Sequence, residues 1–265
     1  SSANLLFYNA DWLAELGYSA LPTTWEELGR AACAAAAQPF SEAKGQGAAW
    51  GLALVPDART FVAMLAGQGG SLISADGTTY TFNGPEGLAT LAAVHDLAAQ
   101  GCALVTDRAT AQREFSAGHV LVVLEGVHRL AAYRQAVDRS AAFGWGIAPP
   151  PRGAAGGPAR LALYGPDFVV FRTAPEAQLA AWLFIRWMSE PRQHAQWVVG
   201  SGRLPCRSSA LPYLSAAFAA DPVYERAIRL LPLANAMEPA LPGYARCQPA
   251  IETMLRNVVA GQDAQ

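Results

Sequence analysis

The opening of the chain joins an apolar strand to two helices, and this order restricts it to folds in which helices pack on a sheet. Residues 5–8 read Leu-Leu-Phe-Tyr, as in a strand that is buried on both faces. A short helix follows and ends at Gly17, and a loop with Pro22 leads to a second helix. Thr24 and Glu27 have capping-box spacing, which marks the start of that second helix.

Strands and helices continue to alternate along the chain. The first half predicts strands at 50–55, 78–82, 119–124 and 142–147. It predicts helices from 60 to a stop at 69–70, from 85 to a stop at Gly101, at 109–116 and at 127–136. A Pro/Gly/Ala-rich stretch at 149–159 is typical of a linker. After it we expect one or two strands at 161–164 and 168–171, helices over 175–188 and up to about Gly200, and a helical tail over 209–219, 222–234 and 247–261. Alternation of this kind indicates an α/β fold with a mixed sheet.

Composition excludes several classes of protein. A hydrophobic content of 52% with 15% charged residues argues against disorder. A net charge of −2 gives no electrostatic reason to expect a nucleic acid partner. The apolar runs at 103–105 and 120–124 are far shorter than the roughly 20 residues that a membrane-spanning helix needs. The chain shows neither a signal segment nor an initiator Met, so we expect a mature or trimmed product.

No motif of an enzyme active site is found in the sequence. It contains no H-E-x-x-H, no G-x-S-x-G, no P-loop and no G-x-G-x-x-G between a strand and a helix. The histidines lack the spacing of metal ligands and are interpreted as ordinary surface or core residues: His95, His119, His128 and His194. The sequence therefore implies no metal and no cofactor. An enzyme of unassigned class on an α/β scaffold is the alternative to a binding protein.

Several motifs, in a fixed order, resemble one family. They include Tyr-Asn at the end of the first strand followed by Pro-x-Thr-Trp-Glu-Glu-Leu, and a G-G, D-G, F-N passage over 69–83. Further motifs occupy residues 115–126, 144–149, 175–193 and 202–208. Together they resemble the extracellular solute-binding proteins of bacterial ABC importers, in the sugar-binding group that includes relatives of maltose-binding proteins.

The resemblance implies a type II periplasmic-binding-protein fold with one nearly complete lobe and part of a second. Residues 1–150 and 206–265 would form the C-terminal-type lobe, residues 151–205 would be a remnant of the N-terminal-type lobe, and most of that lobe would be lacking. Hinges would lie near 1–8, 148–160 and 201–206. A relative of this kind would bind a carbohydrate-like solute in the interlobe cleft and deliver it to an ABC permease in the membrane. Its location would be periplasmic or extracellular, with or without a lipoprotein tether. A degenerate relative that serves as a non-binding interaction module is a further alternative.

The candidate ligand residues are those whose chemistry suits a sugar. Planar Asp, Glu, Asn and Arg groups pair with hydroxyls, and an aromatic face suits the ring. Such residues at strand ends and helix starts are typical of clefts in α/β folds, and here they are Asp57, Arg59, Glu125, Gly126, His128, Tyr164, Gly165, Asp167, Tyr244 and Arg246. Each also has a structural alternative, such as a helix cap for Asp57, packing for Tyr244 or a surface charge for Arg246.

Two of these candidates carry specific expectations. Glu125 directly follows five apolar residues, so we expect it to line the cleft, and Glu125→Gln to weaken binding while leaving the melting temperature nearly unchanged. His128 stands where many relatives carry a Trp that stacks on the sugar. The solute could therefore be a smaller polyol, a substituted sugar or a cationic compound.

The four cysteines are Cys33, Cys102, Cys206 and Cys247. They are too far apart for a C-x-x-C or zinc motif, and three complete pairings are open to them, as are free buried thiols. The layout of the resembled family implies Cys206 and Cys247 as the better pair.

Residues 161–200 are rich in Trp, Phe, Leu and Ile. In the resembled family this segment packs against a sheet of the first lobe. A large exposed apolar patch marks an interface, so we expect either a homodimer formed by exchange of 161–200 or folding of the segment onto its own main lobe.

Overall fold

The computed structural model describes residues 1–153, 156–239, 241 and 243–261. Its strands are β1 (Ser2–Asn9), β2 (Trp50–Leu54), β3 (Ala103–Val105), β4 (Val120–Gly126), β5 (Trp145–Ala148), β6 (Leu161–Tyr164) and β7 (Ala234–Met237). Its helices are α1 (Ala10–Glu15), α2 (Trp25–Ala37), α3 (Ala58–Gly67), α4 (Pro85–Ala99), α5 (Arg108–Ser116), α6 (Leu130–Arg139), α7 (Pro175–Met188), α8 (Pro191–Ser201), α9 (Ser215–Ala220), α10 (Pro222–Arg229) and α11 (Tyr244–Val259). The predicted α/β fold is confirmed. None of the described helices combines the length and the apolar character that crossing a membrane requires.

The strands form one mixed sheet with the order β3-β2-β4-β1-β6-β7, and β5 also pairs with β1. Strand β2 is parallel to β3 and β4, and β6 is parallel to β7. Strand β1 is antiparallel to β4 along most of its length, but it changes partners on its other side. Its later residues pair with β5, where Leu6 lies opposite Ala148, and its first residues pair with β6, where Ser2 lies opposite Tyr164. β1 therefore links the two parts of the sheet.

The main core lies on both faces of β1 and β4. Leu5, Leu6 and Phe7 are fully buried, as are the apolar residues at 120–123. Helix α2 packs on β2 and begins as predicted, because the Thr24 hydroxyl accepts a hydrogen bond from the Glu27 amide at 3.3 Å. A second, smaller apolar cluster joins α3, α4 and α11. The second cluster fixes α11 beside the first turn of α3.

Several predicted elements are wrong. Residues 78–82 do not form a strand, because Asp76 accepts hydrogen bonds from Thr78 and from Ser74 and so builds a turn. Residues 168–171 are exposed and irregular. The short strand β3 was not predicted. A helix was expected over 222–234, but α10 ends at Arg229 and β7 begins at Ala234. The predicted linker lies between β5 and β6, and its residues 154 and 155 are outside the described part, as are residues 262–265 of the tail.

Only part of the segment 161–200 packs on the main lobe. Strand β6 pairs with β1, and helix α8 contributes Ala195 and Val198 to the main core, whereas α7 buries none of its residues. Five large apolar side chains on α7 keep about half of their surface exposed: Leu179, Trp182, Leu183, Phe184 and Trp187. The expectation of folding onto the main lobe is thus wrong for α7, and a dimer by exchange of 161–200 stays a prediction.

The disulfide expected from the family layout is also wrong. Cys33 on α2 is bonded to Cys102 just before β3, and Cys206 and Cys247 are free thiols. The reason is local, because α2 lies on β2 and the amide of Gly51 in β2 donates a hydrogen bond to the Cys102 carbonyl at 2.9 Å. A side chain at Gly51 would collide with the α2 backbone. Glycine there lets α2 approach closely enough to place Cys33 beside Cys102.

Candidate functional site

Three parallel strands bring charged residues to one edge of the sheet. The carboxyl ends of β2, β3 and β4 lie at the same edge because these strands run in the same direction. Asp57 follows β2, Arg108 follows β3 and Glu125 lies at the end of β4. The Arg108 guanidinium donates to both carboxylates, through Nη1 to Glu125 and through Nη2 to Asp57. Arg108 was not among the predicted residues, since β3 was not recognised as a strand.

The structure places Glu125 in the interior of the protein. Its side chain has no exposed surface, and it accepts a hydrogen bond from the Gly126 amide at 2.7 Å. The Arg129 Nε lies 3.5 Å from its second carboxylate oxygen. Burial raises the pKa of Glu125, while Arg108 and Arg129 oppose that shift. The buried Glu125 carboxylate thus pairs with two partly exposed arginines. It does not line the cleft described next.

A cleft of about 360 Å³ lies at the ends of β6 and β7, beside the first turns of α3 and α11. It brings together half of the predicted site residues, namely Arg59, Tyr164, Gly165, Asp167 and Tyr244. It adds residues that sequence reasoning missed, chiefly Glu238 and Gln248. Asp57, Glu125, Gly126 and His128 are not in its lining, and Arg246 is exposed elsewhere on α11.

A row of polar groups crosses this cleft. The Arg59 guanidinium lies 4.6 Å from the centroid of the Tyr164 ring, a cation–π contact. Its Nε is 3.9 Å from the Glu238 carboxylate, which accepts a hydrogen bond from Gln248 at 2.9 Å. Helix α3 holds Arg59 in its first turn because Asp57 caps the helix, accepting from the Thr60 amide at 2.7 Å. Asp57 is therefore a helix cap that also positions a residue of the cleft.

Residues of β1 and of the end of β4 contact Tyr164 and fix its position. Its hydroxyl donates to Asn4 Oδ1 at 2.7 Å. A Cβ at Gly126 would collide with that hydroxyl and with the His128 ring, so glycine is needed there. The His128 ring meets the edge of Tyr164, with centroids 6.3 Å apart, and its Nδ1 lies 3.1 Å from the Ser2 hydroxyl. Burial raises the pKa of Tyr164 to about 12, so the phenol is a neutral donor at physiological pH.

His128 makes stability depend on pH. Burial, reinforced by Arg203, Arg129, Arg108 and Arg59, lowers its pKa to about 4 from 6.5. The unfolded chain therefore binds a proton below about pH 6.5 that the folded protein does not bind until about pH 4. We expect the urea concentration at the unfolding midpoint to decrease as the pH is lowered from 7 to 4.5, and to decrease less in His128→Gln. The exposed His95→Gln serves as the control. The same pH dependence of the midpoint in His128→Gln as in wild type would contradict this account.

The cleft offers the groups of a binding site. Arg59 and Gln248 are donors, Glu238 and Asp167 are acceptors, and Tyr164 provides aromatic surface, whereas Tyr244 is buried. The Cys206 amide donates to His194 Nε2 at 2.9 Å. The histidine is therefore hydrogen-bonded to the backbone of the cysteine and not to its thiol. Within the described ranges, no group of three or more His, Cys, Asp or Glu side chains could hold a metal ion. The arrangement suits reversible recognition of a polar solute.

Comparison with known families gives one match over most of the chain. A family model described as "Bacterial extracellular solute-binding protein" matches residues 1–225. A comparison with curated proteins gave no match.

Solved structures share the fold at low sequence identity. A cyclic α-maltosyl-1,6-maltose binding protein from Arthrobacter globiformis is 22% identical with a TM-score of 0.76, and the alignment covers 100% of this chain and 66% of that one. The sugar-binding protein MalE from Xanthomonas citri is 22% identical with a TM-score of 0.79, covering 99% and 65%. UgpB from Mycobacterium tuberculosis, in complex with glycerophosphocholine, is 21% identical with a TM-score of 0.77, also covering 99% and 65%. The chain thus spans 65–66% of the length of these structures, whose likeness supports the predicted periplasmic-binding-protein fold.

Proposed function

Because the chain belongs to the family of bacterial extracellular solute-binding proteins, we propose that it captures a carbohydrate-like solute in the cleft between β6, β7, α3 and α11. It then delivers the solute, chemically unchanged, to the membrane permease of an ABC importer. Membership of the family implies a periplasmic or extracellular location.

The observation that carries the proposal is the row formed by Arg59, Glu238 and Gln248 beside the ring of Tyr164. Planar guanidinium, carboxylate and amide groups pair with neighbouring hydroxyls, and each can meet two of them at once. The aromatic ring of Tyr164 suits the C–H face of a sugar ring. These groups are the ones that the sequence analysis required for a sugar site. Two of the residues that supply them, Glu238 and Gln248, were not among the predicted site residues.

The relatives support a polyhydroxylated solute. The ligands in their names, a maltosyl-maltose and glycerophosphocholine, both present hydroxyl groups. The His128 ring contacts the edge of Tyr164 and lies outside the cleft lining, which favours Tyr164 over His128 as the group that stacks on the solute. In this chain Tyr164 is the better candidate for the aromatic platform.

We further propose that residues 1–150 and 206–265 belong to one lobe and residues 151–205 to another. The change of partner along β1 supports a boundary between β5 and β6, and β7 of the segment 206–265 pairs with β6 across the two proposed lobes. The Leu204 amide donates to the Ser1 carbonyl at 2.8 Å, so the segments at 1–8 and 201–206 lie side by side. Bending where these segments cross would open and close the cleft.

A thermal-shift screen with glucose, maltose and ribitol tests the proposed function. A solute that binds the folded protein raises its melting temperature in proportion to the logarithm of its concentration. We expect Arg59→Gln to weaken binding by about 10- to 100-fold, the loss typical of one charged hydrogen bond. Arg246→Gln, on an exposed surface outside the cleft lining, should bind as wild type does. Equal weakening by both variants would contradict the assignment of the site.

A further inference from the structure

A small recess lies in the floor of the cleft. Its volume is about 10 Å³, which leaves room for about one water-sized group. Its walls share Arg59, Leu163, Tyr164, Glu238 and Tyr244 with the larger cleft. Asn4 of β1 lines the recess but not the larger cleft. The recess is therefore the innermost part of the proposed binding site.

Two polar atoms in the walls of this recess lack a hydrogen-bond partner among the described residues. They are Nδ2 of Asn4 and the hydroxyl of Tyr244, and these residues are only 3% and 5% exposed. Buried polar groups in folded proteins are nearly always paired, and an unpaired one is costly. The Asn4 amide is already oriented, since its Oδ1 accepts from Tyr164. Its Nδ2 is therefore left as a donor.

The chemistry of these two atoms selects the kind of group that the recess can hold. A hydroxyl oxygen can accept a hydrogen bond from Asn4 Nδ2, and its proton can be donated to the oxygen of Tyr244. A methyl group could do neither. A carboxylate or phosphate needs more room than about 10 Å³, and it would meet the Glu238 carboxylate in the same wall. A single neutral hydroxyl satisfies all of these conditions.

We propose that this recess is a hydroxyl subsite of the cleft, in which Asn4 and Tyr244 select solutes that present a hydroxyl group at this point. The inference rests on the proposed function, which it deepens by naming the recognised group and the residues that recognise it. A site built to pair with a hydroxyl discriminates strongly against an analogue that lacks it, because its own polar atoms are then left unpaired.

Tyr244→Phe tests the subsite by removing one oxygen atom. Calorimetric titration with maltose and ribitol should show affinity reduced at least tenfold in this variant. The urea midpoint of the free protein should hardly change, because the deleted hydroxyl makes no hydrogen bond of good geometry with the described residues. Tyr80→Phe is the matched control. The Tyr80 hydroxyl is likewise buried and has no hydrogen-bond partner in the described part of the chain, its ring packs against the same apolar cluster, and it lies outside both cavities.

Asn4→Asp provides a second variant, which turns the Nδ2 donor into an acceptor and should also weaken binding at least tenfold. Wild-type affinity in both Tyr244→Phe and Asn4→Asp would overturn the subsite and leave the cleft proposal intact, as would an equal loss in Tyr80→Phe. Absence of binding to wild-type protein would overturn the proposed function, and the subsite with it.

Discussion

Removing the Cys33–Cys102 disulfide is expected to lower the free energy of unfolding by about 4 kcal/mol. The bond joins residues 69 positions apart, and the chain-entropy model gives this magnitude for a loop of that length. The double variant Cys33→Ser/Cys102→Ser should unfold at a much lower urea concentration. Reductant should shift the wild-type midpoint in the same direction and leave the double variant unchanged.

The free cysteines supply the control. Cys206→Ser/Cys247→Ser removes the same number of sulfur atoms without breaking a bond, so its urea midpoint should stay close to that of wild type and should still respond to reductant. Thiol titration of the unreduced, denatured protein should find two thiols per chain. Four thiols, or a stable reduced protein, would contradict the disulfide and its role.

Replacing Glu125 with Gln should destabilise the folded protein by about 3 kcal/mol. The substitution removes the buried charge that faces Arg108 and Arg129, and loss of one partner from a buried ion pair costs about 3–5 kcal/mol. We place the effect at the lower end because both arginines keep about a third of their surface in solvent. This outcome reverses the expectation from sequence that the melting temperature would hardly change.

Glu26→Gln is the matched control for Glu125. Glu26 also pairs with an arginine, but both side chains of that pair are mostly exposed, and such pairs contribute about 0.3–0.5 kcal/mol. The loss of unfolding free energy, measured by urea unfolding, should therefore be several times larger in Glu125→Gln than in Glu26→Gln. Equal destabilisation would show that burial of Glu125 is not what makes its charge important.

The sequence predicted best where local signals were strong. The apolar run of β1, the cap at Thr24 and the long helical periodicity of α7 each have a cause within a few residues, and each appears in the structure. Strands β3 and β7 have only three and four residues. Strands β5 and β6 also have four residues and were predicted, so length alone is not the reason, and pairing with neighbours in the sheet decides whether such short runs form strands.

The missed site residues follow from those missed strands. Arg108 is the third residue after β3, and Glu238 is the first residue after β7. Had these strands been recognised, the rule that ligand residues follow strand ends would have selected both. For Glu125 the sequence predicted the position at the end of a strand correctly, but not the environment of the side chain. Whether it faced solvent or two arginines depended on α5 and on the segment after β4, which sequence spacing does not fix.

The most direct test of solute capture is calorimetric titration of the chain with maltose and with ribitol, followed by recovery and mass analysis of the solute. A solute-binding protein should give a saturable heat with one site per chain, and the solute should be recovered unchanged after prolonged incubation. Arg59→Gln should lose most of that heat at the same concentrations. A chemically altered solute, or the absence of saturable heat with every sugar and polyol tested, would contradict the proposed function.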